Sequence, residues 1–164
     1  MRPLSFFEGR WSGFLLGASV LCLGALGADA SAPSCRYSYP NGTATTADTV
    51  YDNTTKLTWQ RQPSVKPLTW DAARDYCATL SKVGGFKSGW RLPSINELLT
   101  IVDYRAASPA IDSTAFPGTP STFFWTSTPY VFNGEKGKAW PVFFGAGYSN
   151  PAEVTQEYRV RCVR

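Results

Sequence analysis

Histidine is absent from this chain and cysteine is scarce, and those two facts limit the chemistry it can carry out. Without histidine the commonest general base is missing. A common zinc ligand goes with it, and the cysteine spacings fit no zinc pattern. No nucleophile, base and orienting group stand together in the sequence, so it reads as neither an enzyme nor a zinc or cofactor protein, with calcium left open and no residue assigned to it. Calcium would need converging oxygens, and Asp103, Asp112, Glu135 and Asn150 are scattered along the chain. Binding chemistry is better represented. Lys136 and Lys138 follow the turn Asn133-Gly134, and Tyr148 and Asn150 fall in the next glycine-rich stretch. They offer cations for a sulfate or carboxylate, a ring for sugar stacking and an amide for hydroxyls. These four are the candidate ligand contacts, although solvated turns collect the same residue types for local reasons. The sequons at Asn41 and Asn53 read as turn chemistry in the same way. Arg91 with Glu97 is a further polar pair, but Glu97 is better explained as a helix cap.

At the start of the chain Arg2 and Arg10 precede an apolar run from Phe14 to Leu26 and then the small-residue pattern Ala28-Asp29-Ala30. That is the layout of a secretory signal peptide over residues 1–30. Its Gly and Ser content and its early Asp29 argue against a membrane anchor. Ser19-Val20-Leu21 before Cys22 lacks the small residue that lipid attachment requires. The expectation is an exported protein, secreted, periplasmic or at the cell surface, with no membrane span after cleavage. Residues 31–164 suffice for one domain with a core. Cleavage removes two cations and two carboxylates, so the net charge stays at +4. A charge of that size favours anionic partners such as acidic polysaccharide, and it falls short of the dense Lys/Arg clustering of a nucleic-acid binder. Cys35, Cys77 and Cys162 remain, which makes one disulfide and one thiol able to pair between molecules.

Residues 31–48 are rich in Ser, Thr, Ala and Pro without periodicity and read as a flexible N-terminal lead to a domain at 49–164. Thr49 to Trp59 reads as a hairpin turning at Asp52-Asn53-Thr54-Thr55. Thr69 is a candidate N-cap, and Trp70, Ala73, Cys77 and Leu80 recur on one helical face. Ser94 and Glu97 make an S-x-x-E capping box ahead of Ile95, Leu98, Leu99 and Val102, a second amphipathic helix. Asp103 to Ser121 is a long loop with Ile111 and Phe116 as its anchors. Three strands follow, Phe123 to Thr128, Ala139 to Phe144 and Tyr158 to Val163, with a turn-rich segment from Gly145 to Pro151 before the last. The aromatics Phe124, Trp125, Trp140 and Phe143 read as core. In the last strand Cys162 points inward, and Arg159 and Arg161 share the other, solvated face. A Cys77–Cys162 bridge would tie the first helix to the final strand, a stabilisation of up to roughly 4–5 kcal/mol in the chain-entropy model.

The ordered blocks Thr58-Trp59-Gln60-Arg61, Leu68-Thr69-Trp70-Asp71-Ala72-Ala73, Tyr76-Cys77 and Gly89-Trp90-Arg91-Leu92-Pro93-Ser94 with Glu97-Leu98 carry a resemblance. It continues through Val102-Asp103-Tyr104, Pro109-Ala110-Ile111-Asp112, Phe116-Pro117, Phe124-Trp125-Thr126-Ser127-Thr128 and Ala139-Trp140-Pro141-Val142-Phe143-Phe144 to the ending Val160-Arg161-Cys162-Val163-Arg164. From about Tyr51 onward the chain resembles the C-terminal domain of the bacterial Legionella-collagen-like adhesins. The resemblance implies an α+β, C-type-lectin-like fold, with two helices packed on a small, mostly antiparallel sheet and long loops. It also implies pairing of the first-helix cysteine with one in the last strand, and a surface module that engages host glycans, sulfated ones included. The collagen-like G-x-y stalk of those adhesins has no counterpart in this sequence. Two functions follow as expectations: non-catalytic recognition of sulfated or acidic glycans, or a structural role in the cell envelope, binding a protein partner or a second copy through Cys35.

Overall fold

The computed structural model describes residues 36–134 and 136–164. The expected leader at 1–30, Cys22, Cys35 and Glu135 lie outside the described residues. The fold is α+β, with two helices and two small antiparallel sheets in place of the one sheet expected. Among the described residues no helix is long and apolar enough to cross a membrane.

The first sheet has the order β1 (Tyr37–Ser38), β2 (Thr49–Asp52), β3 (Thr58–Gln60). Its β2–β3 hairpin turns where the sequence places it, because the Asp52 carboxylate accepts from the N–H groups of Thr54 and Thr55. Asp52 is fully buried and Arg36 pairs with it at 2.8 Å. Burial pushes the Asp52 carboxyl up, but the Arg36 guanidinium and the turn N–H outweigh it and hold the pKa below the usual value. Arg36 also donates to the Thr100 carbonyl. Beside this pair, Tyr37–Ser38 form a strand within the stretch 31–48 read as a flexible lead. Tyr37 and Tyr39 pack on the core, and β1 pairs with β2 through the register Tyr37↔Asp52.

The second sheet is formed by β4 (Phe123–Pro129), β5 (Lys138–Phe143), β6 (Tyr148–Ser149) and β7 (Ala152–Glu153), with β4 on one side of β5 and β6 and β7 on the other. The pairs Val142↔Ser149 and Ala139↔Ala152 share one register, so β6 and β7 are two pieces of one extended run. Continuing that register sets Pro141 and Pro151 into the gap between them. Neither has an N–H to donate, and the ladder breaks there. The turn-rich stretch from Gly145 to Pro151 contains the two-residue strand β6.

Each face of this sheet carries a core. Phe124 and Val142 join Leu98, Phe116, Phe144 and Trp59 on one side. Trp125 and Ala139, one residue out of phase with them, join Ala73, Cys77 and Cys162 on the other. The first of these cores holds α2 (Ile95–Thr100), which carries the complete capping box of Ser94 and Glu97. The second holds α1 (Trp70–Thr79), which buries Ala73 and Cys77. Its N-cap Thr69 has the extended geometry of a cap but makes no side-chain bond. The long loop is anchored as expected, with Ile111 and Phe116 buried.

The C-terminal segment differs from its reading. Instead of a regular strand it makes single bridges in turn, Tyr158 with Leu68, Arg159 with Phe124, and Val163 with both Trp59 and Arg91. It threads between elements, so it has no solvated face. Arg161 is fully buried rather than exposed. Its guanidinium donates to the carbonyls of Gln60 (2.8 Å) and Arg61 and to Thr119 Oγ1 (2.7 Å), and it lies 4.7 Å over the Phe116 ring. Burial pulls its pKa down to about 9, which still leaves it a cation at neutral pH. Arg159 is half-buried and donates to the carbonyls of Ser64 (2.8 Å) and Val65. The Cys77–Cys162 disulfide is present, with the two Cα atoms 5.5 Å apart, and it ties this segment to α1.

Candidate functional site

On the face of the second sheet that α1 covers, the cover ends before the sheet does. Phe123 stands directly opposite Phe143, and Phe143 directly opposite Tyr148, so three rings form one cross-strand row. Their centroids are 4.9 Å apart for Phe123 and Phe143 and 5.1 Å for Phe143 and Tyr148. Tyr158 joins the row at 5.1 Å from Phe123 and touches the core at 4.7 Å from Trp125. Phe123, Phe143 and Tyr158 are half-buried, and Tyr148 is 46 % exposed. The edge of the Phe143 ring occupies the space beside Gly145, where an added Cβ would sit 2.3 Å from it, so a side chain at that position would displace the ring.

The four residues singled out in the sequence fall into two places. Tyr148 is the open end of the aromatic row, and Asn150, exposed, follows two residues later, in phase with it on the run shared by β6 and β7. Ser149 between them donates from Oγ to the Pro141 carbonyl at 2.5 Å, which fixes the run against β5. Lys138 sits at the far end of β5, opposite Glu153, with which it forms an ion pair at 3.8 Å. Five steps along the strand lie between it and Phe143, about 17 Å at the usual rise. Lys136 is exposed on the β4–β5 connection, beyond the turn in which Asn133 and Gly134 adopt φ of 49° and 78°. The fold therefore does not gather the four into a single site.

Other residues join the sites without having been singled out. Phe123 and Tyr158 read as strand aromatics in the sequence, and Phe143 as core. Their i, i+2 alternation was legible, but the point at which α1 stops covering them was not. A second ring group forms at the β4–β5 connection, with Tyr130 edge to face with Trp140 at 5.4 Å and Phe132, 58 % exposed, at 6.3 Å from Tyr130. Trp140, also read as core, is half-buried there. Glu97 has two roles. Besides closing the capping box it grips Arg91 through two bonds of 2.7 and 2.6 Å, and that contact, stronger than its burial, holds its carboxyl down at about 2. Of the scattered carboxylates, Asp103 pairs with Arg105 at 3.0 Å and Asp112 accepts from the N–H groups of Thr114 and Ala115. Among the described residues no three His, Cys, Asp or Glu side chains cluster as metal ligands would.

The family model of the Lcl C-terminal domain matches residues 48–164, well over half of the chain. The chain belongs to the Lcl C-terminal domain family. No curated protein matches it. The blocks that carry the resemblance to the Lcl domain are largely structural here: Trp59, Cys77, Trp90, Leu92, Leu98, Phe116, Phe124, Trp125 and Cys162 are all buried. Phe123, Tyr148, Asn150 and Tyr158 lie outside those blocks. Phe143, the middle ring, lies inside one of them, and membership in the Lcl family speaks for the scaffold.

Proposed function

We propose that this Lcl domain is an exported, non-catalytic binding module that recognises glycans, and that it does so by stacking sugar faces on the row Phe123, Phe143 and Tyr148, with Asn150 serving sugar hydroxyls. The observation that carries the reading is the row itself. Three rings from register-matched positions on adjacent strands are tilted together, with Phe123 edge to face with Tyr148 at 6.1 Å, and form an apolar cluster with a polar amide beside its exposed Tyr148 end; strands hold such a cluster more precisely than loops do. A sugar ring has one apolar face and a rim of hydroxyls, and this surface is complementary to both. Lys136 and Lys138, away from the row, suit the acidic groups of a long polysaccharide better than those of the stacked sugar. Export is supported by the leader pattern and by a disulfide, which persists in oxidising compartments.

The test is a glycan array probed with residues 31–164, as monomer and clustered, at low and high salt. Tyr148→Ala is expected to weaken binding by about tenfold or more, the loss of one stacked ring. Gly145→Ala, which forces the Phe143 ring out of line, is expected to weaken it as well. Absence of binding to any glycan in either form would refute the reading and direct attention to a protein partner.

A further inference from the structure

The chain contains two Asn-Gly pairs, Asn41-Gly42 and Asn133-Gly134, and the fold treats them differently. The chemistry open to both is the same. In such a pair the glycine backbone nitrogen stands next to the asparagine side-chain amide with no side chain to shield it, and glycine permits the backbone rotation that brings the two together. What holds each pair decides whether that rotation happens.

Asn41-Gly42 is held at both residues. Asn41 Oδ1 accepts from the Thr49 hydroxyl at 2.7 Å. The Gly42 N–H donates to the Tyr39 carbonyl at 3.3 Å, and a Cβ added at Gly42 would sit 2.9 Å from Thr46 Oγ1 and 3.0 Å from the Ala47 backbone. The attacking nitrogen and the amide it would attack are therefore both committed to other partners. Asn133-Gly134 is held by none of these means. The last paired residues of β4 and β5 are Pro129 and Ala139, closed by the bond from the Tyr130 N–H to the Lys138 carbonyl, so the pair lies beyond the ladder. Both residues are exposed, the Asn133 side chain makes no hydrogen bond among the described residues, and a Cβ added at Gly134 would have no atom within 4 Å of it. The two residues before them also stand in water, Val131 76 % and Phe132 58 % exposed. Reaching the reactive geometry takes a rotation about the Asn133 Cα–C bond. At a tip with so few contacts, little opposes that local opening.

We propose that Asn133 is a site of spontaneous deamidation and isoaspartate formation. The Gly134 backbone nitrogen attacks Cγ of Asn133. An N–Cγ bond forms, the Cγ–Nδ2 bond breaks, and the proton of the Gly134 N–H leaves with the amide nitrogen as ammonia. Water then opens the cyclic imide at either carbonyl, its hydroxyl going to the carbonyl carbon and its proton to the ring nitrogen. One opening leaves aspartate. The other leaves isoaspartate, whose main chain runs through one more carbon at the turn. Nothing is oxidised or reduced, and water is the only co-reactant. The net charge falls by one from +4, and the new carboxylate stands three residues before Lys136.

The test incubates the folded protein, its disulfide intact, in H₂¹⁸O at mildly alkaline pH and digests it afterwards in ordinary water, so that ¹⁸O marks deamidation in the folded state. Mass spectrometry of the fragments should find the label entering at Asn133 at least about tenfold faster than at Asn41. Aspartate and isoaspartate should both carry it, since both come from the imide. In protein reduced and unfolded in guanidinium chloride the two pairs should react at rates within about threefold of each other, because the contacts that distinguish them are gone. Gly134→Ala should slow the reaction at Asn133 by about tenfold or more, its methyl group crowding the attacking nitrogen. No label at Asn133, equal rates at Asn41 and Asn133 in the folded protein, absence of isoaspartate, or a rate difference that persists after unfolding would each overturn the proposal. Glycan binding plays no part in it and is read separately.

Discussion

Two stretches of one sheet face have the same kinds of residue and opposite fates. Trp125 and Ala139 lie under α1 and are fully buried, and the Trp125 indole donates to the Leu68 carbonyl at 2.8 Å. Phe123, Phe143 and Tyr148 continue the same face beyond the helix and stay partly open. Tyr158 touches both stretches. Aromatic side chains on alternating strand positions thus become core or surface according to where a ten-residue helix ends. A strip of rings open to solvent is available to a ligand only because the covered half holds the sheet together.

The largest expected effect breaks the covered half. Trp125→Ala should cost about 3–5 kcal/mol in urea unfolding, from lost burial, the cavity left behind and the orphaned Leu68 carbonyl. A cost below about 1 kcal/mol would mean that the face under α1 is not what holds the sheet. On the opposite face the cover is α2, started by Glu97, and here the effect is intermediate and depends on pH. The folded Glu97 carboxyl lies near 2, below its ordinary value of 4.5, so its contribution is complete above about pH 4.5 and is lost as pH falls toward 2. With Arg91 half-exposed, roughly 1–2 kcal/mol is expected, and Glu97→Gln should make the acid-side loss of stability shallower by that amount. The smallest effect falls on the open half. Tyr148→Ala should change stability by less than about 1 kcal/mol, because nearly half of the residue is already in water. A thermal shift as large as that of Trp125→Ala would show that the row is core after all and would remove the contrast.

Local patterns in this chain were legible wherever their partners lie close in sequence. The β2–β3 hairpin needs only Asp52 and the N–H groups two and three residues on, and the capping box needs only Ser94 and Glu97. The inward direction of Cys77 followed from helical spacing, and the disulfide bears it out. The alternation rule failed at residues 158–163, because it presumes one covered and one open face. A segment that bridges Leu68, Phe124, Trp59 and Arg91 in turn has neither. The candidate site divides in the same way. Tyr148 and Asn150 were identifiable by residue type, but their separation from Lys136 and Lys138 depends on a register along β5 that spacing does not reveal. Of the rings beside Tyr148, Phe143 is one tight turn away on β5, but Phe123 comes from β4, 25 residues earlier.

The sequence by itself determined the family, the two helices with their caps, the hairpin, the cysteine pair and the absence of histidine chemistry, because each of these depends on residue type and short-range spacing. Only the tertiary structure decided that Arg161 is buried among carbonyls, that Tyr37–Ser38 join the first sheet beside the Arg36–Asp52 pair, and that three rings stay open beyond α1. Those outcomes turn on which element covers which, and coverage depends on where separate pieces of chain end in space.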